Sequence, residues 1–134
     1  DVLGSRGLGD VYKRQVDDVL KFVQREKRRG RTYHAIIMDP PSYGRGPNGE
    51  VWKIEEQLYP LISACLEILD EDPLFFLVNS YTTGFPPTVL YNLLHATIAR
   101  KHGNGYIEAG EIGLPITRSQ TILPCGIYGR WVKE

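Results

Sequence analysis

The sequence predicts an α/β fold: parallel strands, closed at one side by an antiparallel strand pair. Three observations carry that expectation. Segments with helical apolar spacing alternate with short runs, at 33–38 and 74–79, that are apolar on both faces. Strands of that composition are buried on both sides, as in parallel sheets. The last thirty residues then hold two strand-like segments with no helix between them, so they pair antiparallel at an edge.

Residues 1–15, DVLGSRGLGDVYKRQ, show neither alternation nor a helical stripe. Their GxGD at 7–10 looks like a phosphate loop only superficially, because no apolar strand precedes it. The VYKRQ ending resembles translated adapter sequence, so 1–15 is set aside as a non-native or disordered leader to a domain at 16–134.

From Val16 the pattern is regular. Asp17 or Asp18 caps a helix whose apolar face is Val19, Leu20, Phe22 and Val23 and which ends near Gly30. The strand at 33–38 stops at Asp39-Pro40-Pro41, and Gly44, Gly46, Pro47 and Gly49 make a loop. Ile54, Leu58, Leu61, Ile62, Cys65, Leu66 and Leu69 form the stripe of a second helix. Pro60 inside it implies a kink, or a helix that begins there. A strand at 74–79 is followed by a polar turn with Gly84, and Pro86-Pro87 open a third helix running to about Gly103. Strands at 106–112 and 122–132, joined by a long turn, complete the chain.

Charge narrows the function classes. Sixteen basic and sixteen acidic side chains in 134 residues exclude a wholly basic nucleic-acid binder and an acidic disordered chain. The zero conceals a gradient: +4 over 1–34, −6 over 35–99 and +2 over 100–134. Five of the seven residues at 25–31 are Lys or Arg. They read either as a nucleic-acid rim or as a solvated helix end whose cations offset the macrodipole. No apolar run approaches the ~20 residues of a membrane helix, and no secretory signal is visible. Two cysteines sixty positions apart, Cys65 and Cys125, suit a reducing cytoplasm, and His34, His95 and His102 have no metal-ligand spacing.

In an open α/β sheet, ligands sit outside the carboxyl ends of the strands. Two polar stretches follow the buried strands there, 39–46 and 79–84. In the first, two prolines remove two donors and drive the residues before them to extended conformations. A carboxylate and a prolyl carbonyl are thereby held rigidly as acceptors, which suits a substrate presenting an amino group, and Tyr43 adds a face for stacking a base. An isolated Asp-Pro-Pro is also compatible with a strand terminator and a capping Asp.

Asp39-Pro40-Pro41 after an apolar strand resembles motif IV of class I S-adenosylmethionine-dependent methyltransferases. The surrounding VDDVLKFVQREKRRGRTYHAIIMDPPSYGRG and the ending GEIGLPITRSQTILPCGIYGRW are similar to a bacterial family grouped with the large-subunit ribosomal-RNA methyltransferases. The resemblance covers about 16–134 and implies a Rossmann-like methyltransferase sheet that binds S-adenosyl-L-methionine and modifies RNA. It implies cofactor contacts from Asp18, with Asp17 beside it, at the adenine amino group. Asp39 and Pro40 would face the methyl donor and acceptor, and Tyr43, Arg45, Ser80 and Tyr81 the substrate.

Three departures qualify what the resemblance implies. Amino-group methyltransferases of nucleic acids place an aromatic directly after the two prolines, where this chain has Ser42 and the aromatic one residue later. Cytosine-C5 enzymes need a thiolate after a central strand, and the second strand here ends in Asn79, Ser80 and Tyr81. Cys65 lies on an apolar helix stripe and Cys125 on the late edge pair, both structural positions. The glycine-rich first loop and the ribose-holding acid of the family have no counterpart at 1–15, so the chain reads as the carboxy-terminal half of a catalytic domain. Two other readings stand beside it: a catalytically inactive RNA-binding module, and a methyltransferase of a non-nucleic-acid substrate.

Overall fold

The computed structural model describes residues 19–134. Helix α1 (Val19–Arg28) leads into strand β1 (Ala35–Met38). A small hairpin, β2 (Tyr43–Arg45) and β3 (Val51–Lys53), precedes helix α2 (Ile54–Leu66). Strand β4 (Phe75–Ser80), helix α3 (Pro87–Ala96) and the short α4 (Ile98–Lys101) follow, and β5 (Gly105–Ile116) and β6 (Thr121–Lys133) close the fold. The expected caps Asp17 and Asp18 lie outside the described residues.

The sheet has the order β1-β4-β6-β5. β1 and β4 are parallel, while β6 is antiparallel to both β4 and β5. This is the expected parallel core with its antiparallel closing pair. Register puts Ile36, Met38, Phe76, Val78, Ser80, Ile127, Gly129 and Trp131 on one face. Phe76, Val78 and Trp131 are fully buried there, in one cluster with Val23 of α1, Ile54, Leu58 and Ile62 of α2, and Leu90 and Leu94 of α3. The described helices therefore share one side of the sheet. The opposite face carries Ile37, Leu77, Asn79, Tyr128 and Arg130, half-buried or exposed.

Local chemistry explains the element ends. Gly30 stops α1 at φ 67°, with Gly30 N–H on the Lys27 carbonyl and Arg31 N–H on that of Glu26. That is a Schellman ending, whose left-handed residue favours glycine. Helix α2 starts at Ile54 rather than at Pro60, and Glu55 and Glu56 complement the dipole of its first turn. Gln57 Oε1 also accepts the backbone N–H of Lys53, the residue that caps the helix. The ring of Pro60 lies on the exposed side of the continuing helix.

Three segments differ from the sequence expectation. The glycine-rich stretch after Asp39 is a hairpin rather than a plain loop, because Gly46 N–H bonds to the Glu50 carbonyl and pairs three residues on each side. The third helix is broken at Thr97, whose hydroxyl turns back onto the Leu93 carbonyl at 2.6 Å. The closing strands are longer and their turn shorter, since a register shift after Ile112 lets pairing continue to Ile116 and Thr121.

Candidate active site

The parallel strands β1 and β4 end side by side, Met38 opposite Val78. The residues that follow them, 39–42 and 81–82, meet at that edge through hydrogen bonds. Tyr81 donates its phenolic hydrogen to Asp39 Oδ2 at 2.9 Å. Ser42 and Thr82 share a hydroxyl hydrogen bond of 2.7 Å. Ser80 donates to Thr82 Oγ1 at 3.1 Å and accepts from the Thr82 backbone N–H. The carboxylate of Asp39 raises the Tyr81 phenol above its usual range, chiefly through that hydrogen bond and then through its charge. The phenol is accordingly a donor across the neutral range.

The proline segment is braced from the hairpin side. Trp52 Nε1 donates to the Pro41 carbonyl at 2.6 Å, and Ile54 N–H donates to the Ser42 carbonyl at 3.1 Å. The Pro41 carbonyl is thus engaged by the indole. Among the described residues, the carbonyl of Pro40 and Oδ1 of Asp39 accept no hydrogen bond. One carboxylate oxygen and one carbonyl therefore remain as acceptors at the strand ends. Pro40 is itself buried while Asp39 is exposed.

The remaining expected site residues divide. Tyr81 lies at the site, 61% exposed. Tyr43 and Arg45 sit one turn of chain away on β2, both exposed, with Arg45 Nε donating to the Tyr43 hydroxyl at 2.9 Å. Ser80, expected toward the substrate, is fully buried and its hydroxyl is used by Thr82. It supports the loop from below. Asp17 and Asp18 lie outside the described residues.

Residues that the sequence reading passed over complete the site. Thr82 links both loops, Trp52 holds the Pro41 carbonyl, and Gly126 packs behind Tyr81. A Trp next to a glycine-rich stretch and a glycine after Cys125 carry no periodic signal of such contacts. β6 joins the sheet beside Ser80 at Ile127, so residues 113–124 run on past the same edge as a two-stranded arm. Leu114, Ile116, Ile122 and Leu123 are exposed on that arm.

The basic cluster is elsewhere. α1 feeds the start of β1, so 25–31 lies toward the opposite edge of the sheet from Asp39. Arg29 and Arg31 both face the buried Glu26 at 3.6 Å, and Lys27 pairs with Glu67. No group of three His, Cys, Asp or Glu suited to a metal occurs among the described residues, and no helix among them is long and apolar enough to cross a membrane. Cys65 is buried, and burial pushes its thiol up to about 11.

No protein-family model matches the sequence, and no curated protein matches it. Solved structures do. A SAM-dependent methyltransferase from Agrobacterium tumefaciens superposes with a TM-score of 0.76 at 30% identity over 87% of this chain. The chain has a methyltransferase fold. SMU.776, a methyltransferase structure complexed with SAH, matches at TM-score 0.60 and 22% identity, again over 87% of the chain. A third structure, assigned as a SAM-dependent methyltransferase from Streptococcus mutans, gives 0.54 and 20% over 86%. At those identities the latter two speak for the fold alone. The chain spans 38%, 30% and 29% of the three structures.

Proposed function

We propose that this chain is the carboxy-terminal part of the catalytic domain of an S-adenosyl-L-methionine-dependent methyltransferase acting on RNA, ribosomal RNA in the first instance. The observation that carries the reading is Asp39: an exposed carboxylate at the carboxyl end of a parallel strand, with Oδ2 held by Tyr81 and Oδ1 bonded to none of the described residues. That edge is where an open α/β sheet takes its ligand. The 30% identity to a structure of the same fold, itself SAM-dependent, supports the cofactor.

The residues present fit half of such a site. Asp39 Oδ1 and the Pro40 carbonyl are acceptors that would align an amino group of the substrate, and Asp39 would balance the positive charge that develops on it. When bound, the cofactor would supply an electrophilic methyl group on a sulfonium sulfur whose thioether is the leaving group of an in-line displacement, so alignment and exclusion of water are the main tasks left to the protein. The exposed ring of Tyr43 would stack on a base, which would first be extruded if it lay in a duplex. The adenine contact is assigned to Asp18, with Asp17 beside it, and the remaining cofactor contacts to chain amino-terminal of Val16. Two free thiols suit a cytoplasmic location.

The test is methyl transfer by the longer parent protein from labelled cofactor to total RNA, to protein and to small-molecule extracts. Incorporation into RNA that is lost in Asp39→Ala supports the reading. Transfer to RNA that survives Asp39→Ala removes the role of Asp39, and transfer only to the other pools removes RNA. Salt-sensitive RNA binding without transfer would make the chain a binding module. Calorimetry on the 134-residue chain should detect no micromolar cofactor binding, and finding it would refute the half-site.

A further inference from the structure

Tyr81 and Asp39 are forty-two residues apart and belong to different loops, yet the phenol reaches the carboxylate at 2.9 Å. Three features show why the ring stands where it does. Ser80, directly before it, is fully buried at the end of β4, so the backbone that launches the ring is fixed. Thr82, directly after it, is held by the hydroxyls of Ser42 and Ser80. Behind the ring lies Gly126 of β6 at φ 134°, where an added Cβ would come within 2.5 Å of the Ser80 carbonyl and 3.0 Å of Tyr81 Cδ1. Only a glycine combines that backbone conformation with that approach. The ring is thus fixed in sequence before and after, and backed by the neighbouring strand.

The consequence falls on Asp39. A lone exposed carboxylate rotates and offers four lone-pair directions to solvent. A donor fixed on Oδ2 removes that freedom and leaves Oδ1 aimed away from the tyrosine. We propose that Tyr81 is the positioning residue for Asp39, seated by Gly126, so that the carboxylate meets its amino-group acceptor through Oδ1 alone. Tyr81 then acts through Asp39 rather than as a contact to the substrate. The role of Asp39 toward an acceptor rests on the function proposed above, whereas the Tyr81–Asp39 contact and its dependence on Gly126 do not.

Two experiments separate those layers. In the 134-residue chain carrying ring-labelled tyrosine, the Tyr81 signal, assigned by its loss in Tyr81→Phe, should titrate above the ordinary tyrosine range. Asp39 and the nearby Cys125 are the ionisable groups that raise it. Asp39→Asn should return the titration toward the ordinary value, Cys125→Ser should leave most of the shift, and Gly126→Ala should resemble Asp39→Asn. A Tyr81 titration that ignores Asp39→Asn overturns the contact, whatever the parent protein does. In the parent, Tyr81→Phe should lower kcat about tenfold to a hundredfold with the cofactor KM unchanged. It should add nothing in the Asp39→Asn background. Equal losses in both backgrounds would overturn positioning and make Tyr81 a direct contact. An absence of any methyl transfer would count against the proposed function alone, leaving the titration to decide the positioning.

Discussion

Ser42 Oγ and Thr82 Oγ1 lie 2.7 Å apart and join the two loops that follow the parallel strands. The bond matters because neither loop belongs to the sheet, so neither inherits its rigidity. Ser42 is itself held through its carbonyl by the first turn of α2, and Thr82 through Ser80 by the end of β4. The Asp39 loop is therefore referenced to a helix on one side and a strand on the other. Thr82 is the shared node.

Replacing that node tests the arrangement. Thr82→Val keeps the shape but leaves the buried Ser80 hydroxyl without its acceptor, which costs about 1–3 kcal/mol. Ser42→Ala removes an exposed partner and should cost less than about 1 kcal/mol. Urea denaturation of both variants measures the difference. Equal midpoints would mean that Ser80 finds another partner.

Close packing gives a second contrast. Gly129 faces α3, and an added Cβ would stand 2.7 Å from Leu90 Cβ and 3.2 Å from Leu94 Cδ1. Helix and strand must separate to admit it, so Gly129→Ala should destabilise by about 1–3 kcal/mol. Gly103→Ala meets nothing within 4 Å and should stay within about 0.5 kcal/mol of the parent sequence. The same denaturation curves decide. An unchanged Gly129→Ala midpoint would show that α3 is free to shift.

How much of this was legible in the sequence depends on the range of the interaction. The strand at 35–38 and the stop at Asp39-Pro40-Pro41 could be read because local composition and proline geometry dictate them. The order of parallel and antiparallel elements was legible for the same reason. The hairpin at 43–53 was not, since each strand is only three residues long and the turn glycines dominate the pattern. The burial of Ser80 was not legible, because it pairs with Ile127 of β6, nearly fifty residues later, which no local signal announces. Thr82 acts across 40 residues on Ser42, Trp52 across 11 on Pro41, and Gly126 on Tyr81 from a different strand, and single-chain patterns do not encode such pairs.

The buried histidine predicts a pH dependence. His102 sits under Trp131, ring centroids 6.0 Å apart, and its Nε2 has no partner among the described residues. Burial lowers its pKa, the adjacent Lys101 lowers it further, and Asp72 opposes both. The folded state thus binds the proton less readily than the unfolded chain. Stability should be full above about pH 6.5, the ordinary histidine value, and decline as the pH falls below it. The decline should flatten in His102→Gln. A decline of the same steepness in that variant would assign it to carboxylates instead.

The two thiols should react unequally. Cys65 is buried in the α2 stripe with its thiol pushed up to about 11, so almost none is thiolate at pH 8. Cys125 is half-buried on β6, its S–H on the Leu123 carbonyl at 3.3 Å. A disulfide-exchange reagent at pH 8 should therefore titrate one thiol in the folded chain and both in denaturant. Mass spectrometry should locate the early label on Cys125. Early labelling of Cys65 would mean that the α2 stripe opens on the reaction timescale.

The two faces of the sheet should respond differently to mutation. Phe76 is fully buried against the helices, and truncation to Ala should cost about 3–5 kcal/mol. Ile37, on the opposite face of β1, is 64% exposed, so Ile37→Glu should cost little in this chain. Parallel strands are ordinarily covered on both faces, and the chain spans only 38% of its Agrobacterium neighbour. If the chain is part of a longer protein, as proposed above, and further chain packs on that face, Ile37→Glu should become destabilising in that longer protein while Phe76→Ala stays costly in both. Thermal melts of the two variants in both lengths test this. A silent Ile37→Glu in the parent would mean that the second face of β1 remains open there too.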